Sequence, residues 1–257
     1  MSRTERWLAT IVGLTDHKLR VAFARTELYE AALTELAVTL DEICKLAEQT
    51  NEQAQAVLRA VVPSVVDVEH LDRIHSIRTT AIAARLLAVG RLLRSSTTEG
   101  HLLEQTRQHE SATLIQRPDG RPLSLGERRA LARQPTRAML DKLMRDPHPA
   151  VTRILLSNPR ITEEDVVTMA ARRPAAPESS VEIARAWAHH ARVRMAIVFN
   201  PGSPPGVSVP LLVLLVRPEL AQVMRAVDLP PVVRATAHEL YELRPPLSEV
   251  DRPSLIQ

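Results

Sequence analysis

Lysine, cysteine, glycine and aromatic residues are all scarce in this 257-residue chain. The single cysteine, Cys44, excludes an intramolecular disulfide and any cysteine-built zinc cluster. Seven glycines and six aromatics (Trp7, Phe23, Tyr29, Trp187, Phe199 and Tyr241) leave little from which to build strands and hairpins, so a β-rich fold is excluded. Long apolar runs are missing too. The longest, Val207 to Val216, is interrupted by Pro210 and falls well short of the about 20 residues a membrane helix needs, so it reads as a buried core helix. The opening MSRTERWLATIVGLTDH has neither the apolar core nor the cleavage pattern of a signal peptide, so a cytoplasmic, membrane-free protein is expected.

Chemistry-bearing patterns are equally thin. There is no glycine-rich phosphate loop, no Gly-x-Ser-x-Gly elbow and no Walker lysine. His70 and His75 stand five apart and His189-His190 are adjacent; neither spacing puts two imidazoles on one helix face as i, i+4 does. Cys44 sits on the flank of an apolar helical stripe and reads as a structural thiol. No cofactor, no metal and no catalytic residue are expected, and the chain reads as a non-enzyme.

What is present is a globular composition, 45% hydrophobic and 25% charged, which is ample for a core. The charge is carried almost wholly by arginine, since Lys18, Lys45 and Lys142 are the only lysines. Residues 1–117 hold 14 basic and 15 acidic groups, whereas residues 118–257 hold 19 and 15, so the excess lies in the second part. That is far milder than the face of a dedicated nucleic-acid binder.

Proline divides the chain. Pro63 is the only one in residues 1–117; the other 18 lie beyond. Long helices are therefore confined to the first part, and the second must be cut into short elements. The expected organisation is a helical bundle over 1–117, a helical-repeat domain over 118–247 and a tail over 248–257, with a turn at Pro118-Asp119-Gly120-Arg121 marking the junction. In the first part Asp16 caps a helix whose apolar positions (Leu19, Ala22, Thr26, Tyr29, Leu33, Leu36 and onwards) keep a 3-4 spacing to Val61. A continuous helix over 16–62 would span roughly 70 Å. Thr50-Asn51 is the one place that offers an interruption. Flanking Ala37, Cys44 and Leu58 widen the stripe beyond a two-stranded seam, which favours a bundle and makes residues 16–94 a candidate surface for self-association. Pro63 is expected to end this helix. A second amphipathic helix follows from Leu71 to Leu93, and a weaker one over Thr98–Ser111.

The second part repeats. Asp146 to Pro159 matches Ala188 to Pro201, with Val151, Leu155, Leu156 and Asn158-Pro159 falling on Val193, Ile197, Val198 and Asn200-Pro201. A degenerate third copy begins near Asp228. Each copy reads as a short helix broken at Asn-Pro, where the asparagine side chain bonds released backbone groups, then a helix capped by Thr162 or by Ser208. A further helix runs from Pro177 to Trp187. Ser124-Leu125-Gly126-Glu127 is a capping box, and Thr136 opens another helix. From Ser124 to Arg244, about half the chain, these phrases and their period resemble the HEAT-like and leucine-rich-repeat-variant α-solenoids. The fold expected is thus all-α, an N-terminal long-helix bundle followed by a short HEAT-like α-solenoid. The resemblance implies a protein-interaction scaffold and brings no catalytic residues.

Candidate partner-binding residues come from an arginine cluster. Arg121, Arg128, Arg129, Arg133 and Arg137 lie within seventeen residues, with only Glu127 against them, and Arg192 and Arg194 open a repeat helix. The bland alternative is a solvated face with ion pairs to Asp141 and Glu163. If Arg128, Arg129, Arg133, Arg192 and Arg194 serve a partner, an acidic protein ranks ahead of a phosphate backbone. Some HEAT-like solenoids bind DNA, the alkylpurine DNA glycosylases among them, but so few aromatics leave little for base stacking.

Overall fold

The computed structural model describes residues 1–94, 121–134 and 136–246, and all regular structure among them is helical. The helix expected over 98–111, the junction turn at 118–120 and the tail lie outside the described residues. Ser2 opens α1 (Arg3–Gly13) with a capping box: its hydroxyl accepts from the Glu5 amide, and Glu5 accepts from the Ser2 amide. Asp16 caps α2 (His17–Glu30) through the Lys18 amide, as its position predicts.

The continuous helix over 16–62 is not formed. It is three helices: α2, α3 (Leu33–Glu48) and α4 (Glu52–Val65). At Thr50 the chain turns left-handed (φ 65°), and Asn51, not Thr50, caps α4 by accepting from the Ala54 amide at 2.9 Å. The break at Ala31-Ala32 has a tertiary cause. The Arg73 guanidinium takes the carbonyls of Leu28 and Ala31, at 2.7 and 2.5 Å, that end α2. Pro63 does not end α4. It sits in the last turn, where it forgoes the bond to the Arg59 carbonyl four residues back, and the helix nevertheless runs on to Val65. After a 3-10 turn (Val68–His70) capped by Asp67, the helix expected over 71–93 also divides, into α5 (Leu71–Ala83) and α6 (Leu87–Leu92), around Arg85 at φ 56°. Asp41, 1% exposed on α3, caps α6 from outside by accepting from the amides of Ala88 and Val89.

α4 is the centre of this part. From Ala56 to Val65 all but Arg59 are buried, as befits a helix apolar all round, and it packs on α1, α2 and α3. The wide stripe on α3, Cys44 included, is covered by α1, α4, α5 and α6 of the same chain.

Among the described residues the second part holds nine short helices: α7 (Leu125–Ala132), α8 (Arg137–Leu143), α9 (Pro149–Leu155), α10 (Glu163–Ala171), α11 (Pro177–Trp187), α12 (Ala191–Val198), α13 (Pro205–Leu212), α14 (Arg217–Arg225) and α15 (Pro231–Leu243). Proline begins four of them and stands second in α14, positions where its missing N–H costs nothing. Ser124 and Thr162 form the expected capping boxes. Ser208 does not cap. Pro204 precedes α13, and Ser208 is buried inside it.

Asn158 and Asn200 occupy equivalent surroundings. Asn158 Nδ2 donates to the carbonyls of Ala132 and Gln134, at the end of α7, while its oxygen accepts from the Arg160 amide. Asn200 Nδ2 donates to Ala170 and Arg172, at the end of α10, while its oxygen accepts from Gly202. After α15 the corresponding place is taken by Arg244, whose Nη2 donates to the Val213 carbonyl at the end of α13. Each clamp ties the residue after one helix to the unpaired carbonyls two helices back, and in each case those helices pack together (α7 with α9, α10 with α12, α13 with α15).

The two parts share one cluster of buried apolar residues. α4 packs on α11 and α13, and α6 on α13. Arg244 Nη1 reaches the Ala47 carbonyl at the end of α3, Arg185 pairs with Asp67 at 2.8 Å, and Arg94 pairs with Glu239 at 2.7 Å. No described helix is long and apolar enough to cross a membrane.

Candidate interaction surface

The Asp16 cap fixes where α2 starts, and the helical period then puts His17, Lys18, Val21, Ala22 and Arg25 on one face. Opposite stand the Leu156–Ile161 turn, held by the Asn158 clamp, and the end of α11 with the following His189 and His190. Between these walls lies an open groove of about 650 Å³. Val21, Leu156, Pro159, Ile161 and Trp187 supply its apolar lining, and among the described residues no aspartate or glutamate lines it.

Aromatic stacking joins the walls. The His17 and His189 rings stack at 4.1 Å, His189 lies 4.2 Å from His190, and Trp187 stacks on His190 at 4.9 Å. Trp187 Nε1 donates to the Leu156 carbonyl, and His190 Nδ1 meets Glu163 at 3.2 Å. Burial pushes His189 down to about 3, helped by the neighbouring His17, His190, Arg194 and Arg59. Burial also lowers His17, with Arg20 and Arg59 adding to it against Asp16. Both rings are therefore neutral at pH 7 and offer ring N–H groups rather than charge. The charge comes from Lys18 and Arg25, exposed and without an ion pair among the described residues, and from Arg185, which Asp67 and Glu182 already neutralise. Among the described residues no group of His, Cys, Asp and Glu is arranged to hold a metal ion.

The arginine cluster is not one surface. Arg128, 7% exposed, is locked on both Asp146 oxygens at 2.7 and 2.6 Å. Arg194, also 7% exposed, donates to the carbonyls of Ala188 and His189. Neither can reach a partner, because their guanidiniums are spent inside the fold. Arg121 pairs with Glu127, and Arg137 with Asp141 and Asp165. Arg192 is exposed but paired with Glu164 at 2.6 Å, so Glu163 serves His190 instead. Arg129 and Arg133 are exposed and share a face, and neither lines the groove. Of the repeat residues, Asn158 and Pro159 line the groove, whereas Asn200 and Pro201 stand elsewhere.

No family model, curated protein or solved structure matches the chain. The reading of function therefore rests on the groove and on the helix packing. Sequence reasoning missed the groove because His17 and His189 are far apart in the chain. The only signals were the His189-His190 pair and the adjacent Trp187.

Proposed function

We propose that this chain is a non-catalytic protein-interaction module. Its second part is read as a short HEAT-like α-solenoid, with the N-terminal helices docked along one side. Support for the array comes from the recurring clamp: Asn158, Asn200 and Arg244 each close a set of three helices onto the carbonyls two helices back. The observation that carries the functional reading is the open groove at the junction, lined by apolar side chains and by Lys18 and Arg25, which have no ion pair among the described residues. A concavity of this size with convergent polar groups is the default place to look for a bound partner. A phosphate-backbone partner is the weaker reading, because Asp146, Asp141, Asp165 and Glu127 consume most of the arginine cluster.

A photo-crosslinking residue at Ser157, in the groove wall, tests this in the full chain within its native cell, with exposed Gln222 on α14 as control. Discrete protein adducts from position 157 that are absent from 222 are expected. Adducts to nucleic acid, or no adduct specific to 157, would overturn the reading.

A further inference from the structure

We infer that the groove binds an acidic segment of a partner protein, two carboxylates meeting Lys18 and Arg25 and an apolar side chain between them seated against Val21 and Pro159. This rests on the interaction-module reading above and specifies its partner by chemistry.

Lys18 and Arg25 are seven positions apart on α2, so two helical turns, about 10.5 Å, separate them along the axis. Val21 and Ala22 lie between them on the same face. That spacing matches carboxylates three residues apart on a polyproline II segment, which rises about 3.1 Å per residue and repeats its face every three residues, or seven apart on a helix. Both cations are exposed, and neither has an ion pair among the described residues. The other charges on the surrounding elements are of both signs. Arg20 lies on α2 itself, Arg59 on α4 and Arg194 on α12, behind the histidine stack. The nearby acids are occupied: Asp16 caps α2, Asp67 and Glu182 hold Arg185, and Glu163 meets His190. Lys18 and Arg25 are thus the charged groups of the groove left for a partner to pair with, and complementarity of this kind steers association and fixes register. Polynucleotide fits less well, since Trp187, the only tryptophan in the groove, is already stacked on His190.

The test immobilises the full chain and selects from a random dodecapeptide display library. Selected peptides are then synthesised with a fluorophore, and affinity is read by anisotropy. The proteins compared are wild type, Lys18→Glu/Arg25→Glu, and Arg129→Glu as a charge control outside the groove. Circular dichroism verifies that the variants fold. Enrichment of Asp and Glu around one apolar residue is expected, with at least tenfold weaker binding to the double variant and less than twofold change for the control. Affinity should also fall as salt rises. Selected peptides without acidic bias, or binding indifferent to Lys18→Glu/Arg25→Glu, would overturn this inference while leaving the interaction reading intact. Binding of single-stranded oligonucleotide in preference to the peptides would also overturn it. Failure to select any peptide, together with no adduct at position 157, would sink both.

Discussion

Asn200 offers the sharpest test of how the helices are held. Its side chain, 3% exposed, donates at 2.8 Å to each of two carbonyls and accepts from the Gly202 amide at 3.1 Å. Asn200→Ala orphans the buried Ala170 carbonyl, which costs about 1–3 kcal/mol, and adds smaller losses at Arg172 and Gly202, for about 2–4 kcal/mol in all. For a chain of this size that lowers Tm by roughly 5–15 °C. Asn200→Asp keeps the shape but turns an oxygen towards both carbonyls, so at pH 7 it should cost more than alanine does. The introduced carboxyl is raised in the folded state, which then binds more protons than the unfolded chain. The stability of the Asp variant should therefore recover relative to the Ala variant as pH falls from 7 towards 4. Ser203→Ala is the control. That hydroxyl is buried without a partner among the described residues, so its removal should change stability by less than about 0.5 kcal/mol. Urea unfolding followed at 222 nm, with the slope checked for constancy, reads all three. An Asp variant as stable as the Ala variant at pH 7, or either within about 0.5 kcal/mol of wild type, would refute the clamp.

Arg244 is 1% exposed and ties the Val213 carbonyl to the Ala47 carbonyl, so Arg244→Met should cost about 2–4 kcal/mol. Hydrogen exchange should quicken at the Thr50 amide, which shares the Ala47 carbonyl; unchanged exchange there would separate Arg244 from the docking of the two parts. His189 is held neutral, so between about pH 6.5 and 3 the folded chain binds fewer protons than the unfolded one, and stability must fall as pH drops through that window. His189→Gln should flatten that decline in urea midpoints taken from pH 7 to 4; an unaltered slope would remove His189 as its source.

Helix starts were legible because their causes are local. Asp16, Ser124 and Thr162 cap where a short polar side chain precedes an apolar run, and prolines fall where helices begin. Ser2 belongs to the same class, and its Glu5 partner was there to be read. Helix breaks were not legible where their causes are distant. Nothing near Ala31 announces that Arg73 will take its carbonyl, and Arg85 adopts a left-handed conformation without being glycine or asparagine. The face of α2 was misread for a related reason. The spacing of Leu19, Ala22, Thr26 and Tyr29 points to a core stripe, yet Leu19 is 54% exposed and the buried residues are Ala24, Glu27 and Leu28. A glutamate does not count as core on any hydropathy pattern. Glu27 is inside because Arg3, Arg6 and the Trp7 indole N–H all reach its carboxylate.

The burial of Glu27 also bears on which cations face outward. A run of arginines in a sequence counts charges without saying which are spent, and here Arg128 and Arg194 are structural while the cations available at the groove are Lys18 and Arg25. The latter lie on α2, whose outward face had been assigned to the interior. Once Glu27 turns the opposite face of α2 inward, Lys18, Val21 and Arg25 must look out across the gap to Pro159 and Trp187. The burial of one carboxylate near the N-terminus thereby decides which cations the molecule presents. Removing the Glu27 carboxylate should rotate or loosen α2 and weaken peptide binding at the groove without touching a groove residue.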